Sequence, residues 1–220
     1  MKFHTRFINK QLFSLILGIL IFSLCLEARS QELETIEVDE FDTFLLAPSF
    51  KLPEQRKIYI DEPEVEFAES WMLEFQSKTT RHYRRVIMKK YGQTLVDFLA
   101  LALKKHNWDV LDAPSSDALL LKPRLVELDI YSPEQSATRQ TLILTKVGAV
   151  KVDLAFLSPD GQTIMQVMDH EDTPDVIGSV FSNRSNNLIY FGMLMENWSA
   201  MAAAYLETLM QEVEKQRAKQ

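Results

Sequence analysis

Cysteine is nearly absent from this chain, glycine is scarce, and after the first thirty residues no apolar run is long enough to cross a membrane. The single cysteine, Cys25, lies in a leader-like amino terminus. Once that leader is removed, the chain can hold neither a disulfide framework, nor a thiol nucleophile, nor thiolate metal ligands. With only six glycines, there is no Gly-rich phosphate loop followed by Lys-Ser or Lys-Thr, no dinucleotide fingerprint and no GxSxG elbow. The main enzyme signatures are therefore missing.

The amino terminus "MKFHTRFINKQLFSLILGILIFSLCLEARSQ" places Lys2, Arg6 and Lys10 before an apolar run from Leu12 to Leu26. That run is shorter than the ~20 residues of a spanning helix, and Ala28 and Ser30 stand at the small-residue spacing of a cleavage site. Residues 1–30 are read as a signal peptide, cleaved to leave Gln31 first in the periplasm. The alternative is an outer-membrane lipoprotein anchored at Cys25, which the bulky Leu24 just before it disfavours. The leader carries four bases and one acid of the chain's 24 and 31, so 20 bases and 30 acids remain, a net charge of -10. A surface this acidic argues against nucleic acid, whose binding depends on neutralising phosphates with Lys and Arg.

Residues 31–56 are acidic and then interrupted by Pro48 and Pro53, as expected of a linker, although "FLLAPSF" could dock on a neighbour. A single domain is expected over 57–216, with a polar tail at 217–220. Within it, "KIYIDEPEVEFA" alternates around Pro63 like an edge strand or extended arm. From about Thr80 to His106, Ile87, Tyr91, Leu95, Phe98, Leu99, Ala102 and Leu103 recur at helical spacing. Gly92 is the weak point of that helix, costing about 1 kcal/mol relative to alanine.

Residues 118–131 predict a half-buried strand with Val126, Leu128 and Ile130 on one face and Leu125, Glu127 and Asp129 on the other. In "TLILTKVGAVKVDLAFLS" the residues Leu142, Leu144, Val150, Val152, Leu154 and Phe156 share one parity, with a bulge or bend expected at Gly148. Pro159, Asp160 and Gly161 then turn the chain back into an antiparallel partner, Thr163 to Asp169. A final helix from Leu188 to about Lys215, capped by Asn186 or Asn187, carries Leu188, Phe191, Met195, Trp198, Ala202, Tyr205 and Leu209 as a core stripe. The order of elements predicts an α+β fold, a two-layer sandwich in which two long helices cover one face of a mostly antiparallel sheet of four or five strands.

Two clusters bear on function. "DHEDTPD" gathers Asp169, His170, Glu171, Asp172 and Asp175, but it lacks the second histidine of a zinc helix and the alternation of a calcium loop, so it is read as a solvated strand exit with no metal. "RHYRRVIMKKY" runs against the global charge. Its Arg81, Arg84, Arg85, Lys89 and Lys90 either balance Glu66, Glu69 or Glu74, or form a contact for an anionic envelope component such as lipid headgroups, lipopolysaccharide phosphates or an acidic protein. Four strand carboxylates, Glu127, Asp129, Asp153 and Asp169, keep a hydrolase with paired acids as the alternative.

The segment "HYRRVIMKKYGQTLVDFLALALKKHNWDVLDAPSSDALLLKPRLVELDIYSPE", followed by "DGQTIMQVMDHED" and the carboxy-terminal helix, resembles the DUF3313 group of uncharacterised bacterial envelope proteins over roughly residues 57–212. Many members of that group look like lipoproteins, and Leu24 before Cys25 departs from that pattern. The resemblance implies no catalytic residues. Together these readings lead to a non-catalytic binding or scaffolding module of a Gram-negative-type envelope, free of cofactor, with an envelope protein or anionic component as partner and peripheral membrane association.

Overall fold

The computed structural model describes residues 33–50, 52, 53, 55–131, 146–175 and 184–217. The leader with Cys25 and the start at Gln31, the residues Leu142 and Leu144, and the tail beyond Arg217 lie outside the described residues. In chain order the elements are β1 (Glu34–Thr35), β2 (Thr43–Leu46), β3 (Lys57–Ile60), β4 (Glu64–Phe67), α1 (Glu69–Phe75), α2 (Arg81–Lys105), β5 (Asp109–Leu111), β6 (Leu119–Ile130), β7 (Gly148–Leu157), β8 (Thr163–Asp172) and α3 (Arg184–Arg217).

All eight strands join one sheet in the order β1-β2-β8-β7-β6-β3-β5, with β4 also on β6. The sheet is larger than the expected four or five strands, and it is mixed: β3 and β4 run parallel to β6, and β5 runs parallel to β3. The antiparallel centre matches the alternation in the sequence. Val150, Val152, Leu154 and Phe156 of β7 are all fully buried, and β8 returns beside β7 through a turn in which Gly161 adopts a φ of 85°. The Gly161 N–H donates to Ser158 O at 2.9 Å, closing that turn.

The extended arm expected around Pro63 lies along one strand in two pieces. β3 pairs with Leu119–Leu121 and β4 with Arg124–Leu128. Pro63 occupies the break between them. Pro123 of β6 lies at the same level, where a missing backbone donor is least costly.

In β6 the expected facing is corrected. The register slips between Val126 and Asp129, and Glu127 takes a φ of 56°, so the strand gains a residue there. Leu121 and Leu125 before the bulge, and Leu128 and Ile130 after it, are all buried, whereas Val126 is only half-buried. The irregularity expected at Gly148 thus lies on the neighbouring strand. Gly148 answers a different need: a Cβ there would lie 2.1 Å from Asp129 O and 2.5 Å from Phe191 Cζ.

Helices α2 and α3 lie side by side and run in the same direction. Tyr91 meets Phe191 edge-on at 5.1 Å, and Arg56 joins His106 O at the end of α2 to Glu207 of α3. The core stripe of α3 is as read except at its start, where Leu188 is only half-buried; Phe191, Met195, Trp198, Ala202 and Leu209 are fully buried and Tyr205 nearly so. Asn186 and Asn187 fall inside α3, not at its cap. At the end of α2, Asn107 turns left-handed at φ 61°, and Trp108 N–H reaches back to Leu103 O at 3.1 Å, an asparagine-based Schellman stop.

The described residues between 33 and 56 are not a plain linker. Their acidic composition conceals Ile36, Phe41, Phe44, Leu46 and Leu52, all of which enter the core. β2 extends the sheet at β8, and Tyr205 of α3 packs on Phe44 at 4.9 Å and donates its hydroxyl to Glu40 at 2.6 Å. The chain then crosses the domain, accepting a bond from Arg217 at Leu52 O, to start β3 on the far side. Helix α1 was not legible either, because it is short and buries only Trp71, whose indole N–H donates to Ile130 O at 3.0 Å.

Candidate functional site

The basic cluster begins where α2 begins. Thr80 is in extended conformation and its hydroxyl accepts from Tyr83 N–H at 3.0 Å, which fixes the first turn. One turn later Arg84 folds back over the connection from α1. Its Nη1 donates to Gln76 O at 3.1 Å, to Thr79 O at 2.8 Å and to Thr79 Oγ1 at 3.0 Å. Arg84 therefore ties the two helices together through its side chain.

The other four cations are differently placed. Arg81, Arg85, Lys89 and Lys90 are exposed, and their side chains form no ion pair or hydrogen bond among the described residues. The balance expected from the nearby acids is not made; Glu74 pairs instead with Lys78 at 3.6 Å. Arg81, Arg85 and Lys89 recur every four residues and share one flank, while Lys90 points about 100° further round the helix. The structure thus brings three of the five expected residues into one exposed stripe, fixes Arg84 beside it, and turns Lys90 away.

The stripe borders a shallow trough. Arg81, Arg84, Arg85 and Met88 line its first part. Arg85 and Met88 also line a second part, together with Lys89, Gln93, Glu62, Pro63 and Val65. Gly92 forms this junction, since a Cβ there would lie 2.8 Å from Pro63 Cγ and 3.1 Å from Val65 Cγ2. Glycine at 92 lets the helix and the β3–β4 arm approach, so it is a packing requirement as well as a gap in helix propensity. Sequence reasoning missed Glu62, Pro63, Val65 and Met88; the one signal for them was a glycine on the buried side of an amphipathic helix.

The acidic residues have other duties. Asp153, on the face of the sheet away from α3, accepts from Arg124 at 3.1 Å and from Gln166 at 2.7 Å, and Arg124 also reaches Glu64 at 2.9 Å. Asp169 faces the helices and accepts from Trp198 at 2.6 Å. Asp129 pairs with Ala149, four residues along β7 from Asp153, about 13 Å at 3.3 Å per residue and beyond the separation glycosidic carboxylates use. Burial and then the charge of Glu74 raise the Asp129 carboxyl above its ordinary value. Glu127 is exposed on the bulge. Asp129, Asp153 and Asp169 therefore do not converge on a common centre.

In "DHEDTPD", Asp172 accepts from Lys146 at 2.6 Å and from Tyr131 at 3.1 Å, and the lysine holds its carboxyl below the usual range. Thr173 is buried and its hydroxyl accepts from Val147 N–H at 2.9 Å and Gly148 N–H at 3.2 Å, pinning the start of β7. Among the described residues, no group of three His, Cys, Asp or Glu side chains is arranged to hold a metal ion, and no helix is long and apolar enough to cross a membrane.

No family model matches the chain, and no curated protein matches it. Among solved structures, it is similar to a PelC dodecamer from Paraburkholderia phytofirmans, at 12% identity over 69% of this chain and 95% of PelC, with a TM-score of 0.36. It is also similar to the rare lipoprotein B from Shewanella oneidensis, at 14% identity over 74% of this chain and 98% of that protein, with a TM-score of 0.29.

Proposed function

We propose that this chain is a non-catalytic binding or scaffolding module of a Gram-negative-type cell envelope, and that it holds an anionic membrane component against the flank of α2 bearing Arg81, Arg85 and Lys89. The observation that carries the reading is electrostatic. In a chain with a net charge of -7, three cations in a row lack any carboxylate partner among the described residues. Such a stripe attracts phosphate-rich surfaces at about 1 kcal/mol per basic residue. The separate structural duties of Asp153 and Asp169 support a binding module over a hydrolase. The resemblance to DUF3313 proteins and the leader favour the periplasmic side of the envelope, with the lipid anchor at Cys25 as the alternative placement.

Co-sedimentation with vesicles of phosphatidylglycerol and phosphatidylcholine tests this. The chain should bind the mixed vesicles and ignore pure phosphatidylcholine. Changing Arg81, Arg85 and Lys89 together to glutamine should weaken binding by roughly 100-fold, about 3 kcal/mol. Equal binding by the triple variant would sink the proposal.

A further inference from the structure

Resting on that reading, we infer that the trough beside α2 is a cradle for one phosphate group carrying an apolar substituent, with Arg84 as its fixed member. The Arg84 side chain is held by three contacts, all through Nη1. Its Nε and Nη2 make no bond among the described residues. Those two nitrogens form the side-on fork that fits two oxygens of a phosphate at once. The tie to the α1–α2 connection removes much of the side-chain freedom that binding would otherwise have to freeze. Arg81 and Arg85, one helical turn before it and one residue after it, line the same depression with free guanidinium groups.

The lining also limits what the ligand can be. Beyond Arg85 the wall includes Met88, Pro63 and Val65, which suit hydrocarbon, with Lys89 and Gln93 on the helix side and the carboxylate of Glu62 on the arm. The ligand class is therefore a phosphorylated amphiphile, with lipid-linked phosphate as the source.

The test titrates the full soluble chain with dihexanoyl phosphatidic acid, dihexanoyl phosphatidylcholine and inorganic phosphate, all below micelle formation, by calorimetry. Phosphatidic acid should bind at least roughly tenfold more tightly than either of the others. Arg84→Lys, whose ammonium still reaches the turn carbonyls but has no fork, should lose about tenfold in affinity at unchanged melting temperature. Should that variant fail to fold, the exposed pair Arg81→Gln with Arg85→Gln carries the same expectation. Inorganic phosphate binding as well as phosphatidic acid would overturn the lipid source, and full affinity in these variants would overturn the cradle. Binding to phosphatidylglycerol vesicles without any response to phosphatidic acid would also overturn the cradle while leaving the envelope module standing; loss of both would remove both.

Discussion

Trp198 donates its indole N–H to Asp169 across 2.6 Å, from the middle of α3 to the helix-facing side of β8, and both side chains are shielded from solvent. The bond fixes the register of the long helix on the sheet. Trp198→Ala should cost about 3 to 5 kcal/mol in urea unfolding, and Asp169→Ala about 1 to 3 kcal/mol, because a buried donor loses its acceptor. Glu212, paired with Lys215 at 3.4 Å near the helix end, should tolerate alanine within about 0.5 kcal/mol. With Trp71 and Trp108 changed to phenylalanine, the Trp198 emission should be blue-shifted and poorly quenched by acrylamide; ready quenching would mean that α3 detaches.

Two aspartates near the end of β6 respond to pH in opposite directions. Asp129 is raised above its ordinary 3.8 by burial and by Glu74. The folded chain therefore holds that proton more tightly than the unfolded chain, and the contribution is lost as pH rises through the folded value. Asp172, lowered from 3.8 by Lys146, contributes above the unfolded value and loses it as pH falls. Asp129→Asn should thus stabilise the fold near neutral pH, and the gain should vanish below about pH 4. Urea midpoints of the variant and the wild type across that range check the sign.

Glycine replacements separate helix propensity from packing. Among the described residues, Gly192 of α3 has only Phe98 Cε2 within reach of an added Cβ, at 3.6 Å, so Gly192→Ala should gain up to about 1 kcal/mol. Gly92→Ala would push on the rigid ring of Pro63 at 2.8 Å and should lose stability despite the same propensity gain. Gly148→Ala, against Asp129 O and Phe191, should be the most damaging of the three, by more than about 3 kcal/mol. A shared sign for Gly92 and Gly192 in thermal melts would contradict this.

The amino-terminal arm offers a fourth measurement. Phe44 is 1% exposed beneath Tyr205, so Phe44→Ala should cost about 3 to 5 kcal/mol. A chain beginning at Lys57 should be aggregation-prone, with the β8 edge uncovered. If that shortened chain melts like the full one, the arm contributes nothing to the fold.

Where a long element repeats a pattern, the sequence was legible. The stripe of α3, the ends of α2 within a residue or two of Arg81 and Lys105, and the hairpin at Pro159-Asp160-Gly161 follow from periodicity and turn chemistry. The failures have physical causes. "VELDI" alternates cleanly on paper, and it takes the left-handed Glu127 and the register slip beside it to show that one residue is spare. Strands of two to four residues, such as β1, β2 and β5, carry no periodic signal. Arg84 was counted with its neighbours because composition does not record that the α1–α2 connection returns its carbonyls to that side chain.

The arm also sets a constraint in time. Asp42 N–H reaches Asp169 at 3.3 Å from 127 residues away in the chain, so β2 emerges early and its partner strand close to last. Loop closure over that distance comes late, as in folds dominated by non-local pairing. Until β8 arrives, Phe44 and Leu46 have no sheet edge to join and are exposed to wrong pairings. The acids crowded around them, Glu37, Asp39, Glu40 and Asp42, act as gatekeepers that keep a waiting strand soluble.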